Sequence, residues 1–174
     1  MQFLRGCHVE IEEARKRPWF DNTIFIIVAD HTADSAGKIA LDPVAYHIPM
    51  LIYAPGLVKP GRFEKLMSQI DVAPTILGLL NMDYDSRFYG RDALRDPLER
   101  ALISNYQQLG YLTKESLIVF KPVKQMREFK KQGDDFIAQP QSDAELVSTA
   151  LSYFQNATRW REWNRELGSP PIKE

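Results

Sequence analysis

Thr23–Gly37, TIFIIVADHTADSAG, decides how this chain is read, and Asp30-His31 lies at its centre. The run Thr23–Ala29 carries Ile24, Phe25, Ile26, Ile27 and Val28 without alternating polar and apolar positions. That pattern predicts a strand covered on both faces, as in a parallel sheet. The run stops at a carboxylate and an imidazole side by side. In open α/β sheets, the crevice beyond the carboxyl ends of the strands is where ligands bind. Carboxylate and imidazole donors suit Mn, Zn or Mg better than soft copper. Adjacent residues at a strand end usually diverge, but in the turn that follows both can be aimed at one ion. A pair of this kind also occurs as a turn cap beside a solvated histidine, so the pair alone leaves both readings open.

Composition sets the outer bounds. The chain has 174 residues, 44% of them hydrophobic, enough for a core. With 22 basic and 23 acidic residues the net charge is -1, so neither a nucleic-acid footprint nor a broadly basic membrane patch is expected. A single cysteine, Cys7, excludes an internal disulfide and a multi-cysteine zinc site. No apolar run reaches transmembrane length, and the start does not read as a signal peptide.

EIEEARKR at 10–17 reads as a helix that Pro18 stops, and Cys7 with His8 reads as part of a tail, not as a metal site. Beyond the pair, Thr32 to Pro43 is a small-residue loop. Thr32 and Ser35 have no adjacent general base and read as loop hydrogen-bonders, while Asp34 is a candidate third ligand or a hydrogen-bond partner of a ligand. His47 precedes a second buried strand, about Met50 to Tyr53, ended by Pro55-Gly56. Beside a parallel strand it would reach the same side of the sheet only if the loop folded back. It is a candidate contact for substrate phosphate or sulfate, or alternatively a histidine bonded to the loop backbone.

Asp71 is placed to cap a helix, DVAPTILGLL, with Pro74 in its first turn and Val72, Ile76 and Leu79 on its packed face. Arg87 and Arg91 follow in a loop at 83–96. They can grip an anion or pair with the neighbouring aspartates. ALISNY and ESLIVF read as two short strands around Gly110-Tyr111, and 121–141 as a surface connection. Ser142-Asp143-Ala144-Glu145 is a capping-box signal for a last helix. Its stripe runs Leu146, Ala150, Tyr153, Ala157, Trp160.

Three blocks in this order carry a resemblance. FDNTIFIIVADHT, AYHIPMLIYAPG at 45–56 and SQIDVAPTILGLLNMDYDSRFYGRDAL at 68–94 resemble the C-terminal part of sulfatase-type proteins of the alkaline phosphatase superfamily. The likeness is closest to the lipoteichoic acid synthase-like phosphoglycerol transferases and runs from about Glu12 to about Phe120. It implies an α/β fold with three α/β/α layers: a mostly parallel sheet, a small C-terminal strand pair and a final helix. Residues 1–174 would be the C-terminal part of one catalytic domain.

The resemblance implies that Asp30 and His31 bind a catalytic divalent metal, Mn²⁺ first and Zn²⁺, Mg²⁺ or Ca²⁺ as alternatives. The substrate it implies is an anionic ester, either a phospholipid head group or a sulfate ester. The nucleophile of phosphoglycerol transferases is a threonine at a helix N-terminus far upstream, and only 29 residues precede Asp30. Type I sulfatases use a C/S-x-P-x-R motif. His8-Val9-Glu10-Ile11 follows Cys7, without that proline or arginine, so Cys7 is not such a nucleophile. The chain alone is therefore expected to be inactive. An intact relative would work at the periplasmic or extracellular face of the cell membrane, contacting it through an N-terminal part absent here. The rival readings are a sulfuric ester hydrolase and a non-catalytic interaction domain that binds through the Trp160–Trp163 helix end and the loop at 83–96.

Overall fold

Phe20 is the pivot of the first of two compact units into which the chain divides. The computed structural model describes residues 8, 10–32, 37–166 and 168. The first unit comprises Met1–Ala36 with Val44–Phe63, and the second Gly37–Pro43 with Glu64–Glu174. In the first, residues 10–14 are helical and a 3-10 turn, Phe20–Asn22, leads into β1, Phe25–Val28. Phe20 is buried, and its ring lies 5.5 Å from Phe25 and 6.2 Å from Tyr53. Arg15 closes the cluster, its guanidinium donating to Tyr53 Oη at 2.9 Å and lying 5.8 Å from the Phe20 ring.

β1 pairs with β2, Met50–Tyr53, in the register Phe25↔Tyr53 to Val28↔Met50. Both strands sit where the sequence places them. The pairing is antiparallel, which corrects the expected parallel arrangement. A parallel pair needs a crossover connection, usually a helix. The described residues between these strands hold only a 3-10 turn, Pro43–Tyr46. Nor are both faces covered, because Ile26 and Leu51 are 38% and 39% exposed.

The second unit is a five-stranded antiparallel meander, β3 to β7 in spatial order, with one long helix against it. The strands are β3 Ala101–Ser104, β4 Leu109–Leu112, β5 Ser116–Lys121, β6 Gln125–Gln132 and β7 Asp135–Ala138. This corrects two expectations. Gly110-Tyr111 is not a turn but part of a strand, and the supposed connection at 121–141 contains β6 and β7. QMREFKKQ lacks an apolar alternation because most of its side chains face water, and β5 supplies the backbone partners. One sheet face buries Tyr111, Ile118 and Ala150 together, flanked by Leu146, Val147, Tyr153 and Phe154. The opposite face meets Leu41, so close that a Cβ on Gly110 would lie 2.5 Å from its Cδ2.

The first α-helix, α1, is Val72–Leu79, and the last, α2, is Ala144–Glu166. The stripe predicted for α2 is the one that packs. Its cap lies one residue later than the capping box suggests, because Asp143 accepts from the Glu145 and Leu146 N–H groups at 2.9 and 3.1 Å. Buried Glu128 accepts from the Asp143 N–H at 2.7 Å and from Ser116 Oγ at 3.0 Å, tying β5 and β6 to the helix start. No helix among the described residues is long and apolar enough to cross a membrane.

α1 departs from its predicted face, since Pro74, Thr75 and Gly78 are buried instead of Val72, Ile76 and Leu79. The face is small and polar because the 88–96 segment lies against it. Ala93 N–H donates to Thr75 Oγ1 at 2.9 Å, and a Cβ on Gly90 would fall 1.9 Å from the Ile70 carbonyl oxygen. Asp71 does not cap the helix. It accepts from Ser68 N–H and Arg91 N–H and forms a two-pronged pair with Arg100, at 2.7 and 3.0 Å. Asp71→Ala should lower unfolding free energy by about 3–5 kcal/mol, because Arg100 would stay buried without its counter-charge. Urea unfolding checks this, and a loss below about 1 kcal/mol would refute it.

Glu99 gives a pH-dependent counterpart. It accepts from Leu66 N–H at 3.0 Å and pairs with Lys114 Nζ at 2.8 Å. The Lys114 hydrogen bond first, and the Leu66 N–H second, hold its carboxyl below the ordinary 4.5. A lowered carboxyl stabilises the fold above its unfolded pKa, and that contribution is lost as pH falls through the folded value. Glu99→Gln should therefore melt below wild type at neutral pH, with the gap closing as pH drops below 4.5. A gap independent of pH would contradict this assignment.

Candidate metal centre

Asp30 and His31 follow β1 directly, in a bend that ends the apolar run. The pairing persists one step past β1, with Ala29 N–H donating to the Pro49 carbonyl at 3.2 Å. Asp30 then turns back on the chain, its Oδ1 accepting from the His31 N–H at 3.0 Å. Both side chains stand in solvent, 90% exposed for Asp30 and 80% for His31. The bend therefore aims both at one place, which an extended strand cannot do.

The imidazole has a defined orientation. Its Nδ1 lies 2.7 Å from the Thr32 carbonyl oxygen. A carbonyl only accepts, so Nδ1 carries the proton and neutral His31 presents its lone pair at Nε2. This is the arrangement by which ligating histidines are usually oriented. The Thr32 hydrogen bond first, and the Asp30 charge second, raise the His31 pKa above 6.5. Thr32 is itself anchored, its Oγ1 donating to the Ala45 carbonyl at 2.7 Å, which bears out its reading as a loop hydrogen-bonder.

Nε2 of His31 lies 3.8 Å from Asp30 Oδ1. Bonds of about 2.0–2.2 Å in a tetrahedral site put two donors about 3.4 Å apart, so the pair lies a few tenths of an ångström wider than two donors of one ion. Among the described residues, no group of three or more His, Cys, Asp or Glu side chains converges on one point. Asp34 and Ser35 lie outside the described residues, as does Cys7. His8 is an exposed helix residue whose Nδ1 lies 3.9 Å from Glu12 Oε1.

His47 reaches this end of the ribbon by a route that the sequence reading lacked. In an antiparallel pair, the entry to β2 lies beside the exit of β1. His47, three residues before β2, is therefore at the Asp30 end without any fold-back of the loop. Its backbone N–H donates to the Val44 carbonyl at 3.3 Å, and the side chain is exposed. Arg87 and Arg91, the candidate anion-gripping pair of the 83–96 loop, are engaged elsewhere. Arg91 pairs with Asp96 at 3.0 Å, and Arg87 donates to the Gly168 carbonyl at 2.6 Å. What the sequence reading missed is the orienting role of the Thr32 carbonyl, a main-chain group that no residue pattern announces.

Residues 11–82 match the family described as Sulfatase. An uncharacterized sulfatase, YdeN, from Escherichia coli (strain K12) is 31% identical, over 42% of this chain and 15% of its own length. A solved structure of an alkaline phosphatase superfamily protein from Vibrio parahaemolyticus superimposes with a TM-score of 0.70 at 29% identity, over 87% of this chain. The chain spans 39% of that structure's length.

Both side chains of the pair are exposed and bond only to adjacent residues. Asp30→Ala and His31→Ala should each leave metal-free stability within about 0.5 kcal/mol of wild type. Thr32→Val, which removes the bond to Ala45, should cost about 1 kcal/mol. Urea denaturation in EDTA distinguishes them, and a large loss in either alanine variant would make the pair structural.

Proposed function

We propose that this chain, sulfatase-type over residues 11–82 and alkaline phosphatase-like in fold, is the metal-holding portion of an enzyme that cleaves an anionic ester. The reading is carried by the oriented pair: Asp30 Oδ1 and His31 Nε2 3.8 Å apart, with the other ring nitrogen engaged by Thr32. These two residues would be ligands to a divalent cation, Mn²⁺ first. A cation bound there supplies positive charge against the transferred phosphoryl or sulfuryl oxygens and favours ionisation of an attacking hydroxyl.

The protein's own groups have separate tasks. The Thr32 carbonyl keeps the proton on His31 Nδ1, and the Thr32 hydroxyl holds that stretch against the Ala45 carbonyl. His47, at the same end of the ribbon, is proposed to donate a hydrogen bond to an oxygen of the ester. The reaction favoured by the likeness of the three sequence blocks is phosphoglycerol transfer. A threonine hydroxyl outside this chain would attack the phosphorus of phosphatidylglycerol, its O–P bond forming as the bond to diacylglycerol oxygen breaks. The site would face the outside of the cell membrane. The sulfatase match favours a second reading, hydrolysis of a sulfate ester.

Thermal unfolding in EDTA and then in excess Mn²⁺, Zn²⁺ or Mg²⁺ tests the metal assignment. A ligand at a hundred times its Kd stabilises by about 2.7 kcal/mol, so the midpoint should rise and the rise should vanish in Asp30→Ala, His31→Ala. No rise in wild type, or an equal rise in the variant, would sink the assignment. The chain alone should turn over neither a phosphodiester nor a sulfate ester, and measured metal-dependent hydrolysis of either would show that the nucleophile lies within it.

A further inference from the structure

The β5–β6 hairpin carries features that ester cleavage does not use. Lys121 pairs with Gln125, leaving Pro122, Val123 and Lys124 as its loop. Pro122 pre-sets the turn through its fixed φ. Val123 and Lys124 then both adopt left-handed backbone, at φ 61° and 57°. Glycine or asparagine is the usual occupant there, and a β-branched residue is an outlier whose strain the surroundings must offset. Yet Val123 is 88% exposed, so no packing among the described residues repays it, and Met126, three positions on, is 47% exposed.

The charged side chains of 121–127 are all of one sign. Lys121, Lys124 and Arg127 are exposed and form no ion pair among the described residues. By strand alternation Lys121 and Arg127 share a face as diagonal neighbours, since Lys121 opposes Gln125 and Arg127 opposes Val119. Within 121–128 the one carboxylate is Glu128, which is buried and turned to Ser116 and Asp143. Asp134 and Asp135 lie at the far end of β6, where Asp135 pairs with Lys38.

We infer that this hairpin docks the protein on an anionic lipid bilayer, Val123 entering the interfacial region while Lys121, Lys124 and Arg127 meet headgroup phosphates. An exposed apolar tip ringed by cations is the interfacial design. A soluble polyanion would account for the cations but not for a strained, exposed valine. A single-stranded nucleic acid would call for an exposed aromatic ring, and 121–127 contains none. The inference does not depend on the metal pair, so Asp30→Ala, His31→Ala should bind lipid as wild type does.

Flotation of the full chain tests it, using vesicles of phosphatidylcholine alone or mixed with phosphatidylglycerol. Binding should appear only with the anionic lipid and weaken with salt. Lys121→Gln and Lys124→Gln should each lower affinity roughly fivefold, the value of one cation near such a surface. Val123→Gly relieves the strained backbone, so it should melt no lower than wild type while losing vesicle binding. Equal binding to both lipids, no binding, or wild-type binding by Val123→Gly would overturn the inference. Heparin binding that falls with the lysines and ignores Val123→Gly, without flotation, would assign the hairpin to a soluble polyanion instead.

Discussion

The Asp71–Arg100 pair is the constraint around which the second unit is assembled. Both groups are almost wholly shielded from water, at 0% and 1% side-chain exposure. Burial pulls the arginine pKa down, and the hydrogen bonds and charge of Asp71 more than restore it, leaving the guanidinium firmly charged. The carboxylate has no idle oxygen, since each takes one Arg100 nitrogen and one backbone N–H, from Ser68 or Arg91. The Tyr153 ring lies 5.3 Å from the guanidinium carbon. One ion pair therefore fixes the entry to α1, the 88–96 segment, the start of β3 and the middle of α2 at once. Such pairs contribute little net stability against an apolar substitute, but they allow one arrangement only.

The same residue shows where sequence reading reaches its limit. Asp71 ahead of an apolar run is a sound capping signal, and a helix does begin there. Nothing local discloses that an arginine 29 positions later will claim the carboxylate. The strands at 25–28 and 50–53 and the stripe of α2 were legible because apolar spacing marks buried faces. β6 was not, because its partners come from β5 and its side chains are bathed in solvent. Pairing direction was not legible either, since an unbroken apolar run reads alike in both orientations. The family likeness carried by the three sequence blocks agrees with the sulfatase match and the alkaline phosphatase superfamily fold.

For the candidate site, the two ligating residue types were evident from Asp30-His31, and their geometry was not. Whether adjacent side chains converge depends on the bend at 30–31 and on the Thr32 carbonyl, both backbone properties. The antiparallel ribbon then adds His47 to the same end. A loop reading treats that histidine as remote by 16 positions, while the topology makes it a neighbour of the strand exit.

The nearest-neighbour order of the five-stranded sheet has a kinetic consequence. Each strand pairs with the one preceding it in the chain, across short turns. Closing short loops costs little entropy, and folds dominated by local contacts form fast. β1 and β2 instead meet across the 21 residues from Ala29 to Pro49, and an isolated two-stranded ribbon is marginal in water. On refolding of the whole chain the meander should zip up hairpin by hairpin, while the ribbon that bears Asp30 and His31 becomes ordered later.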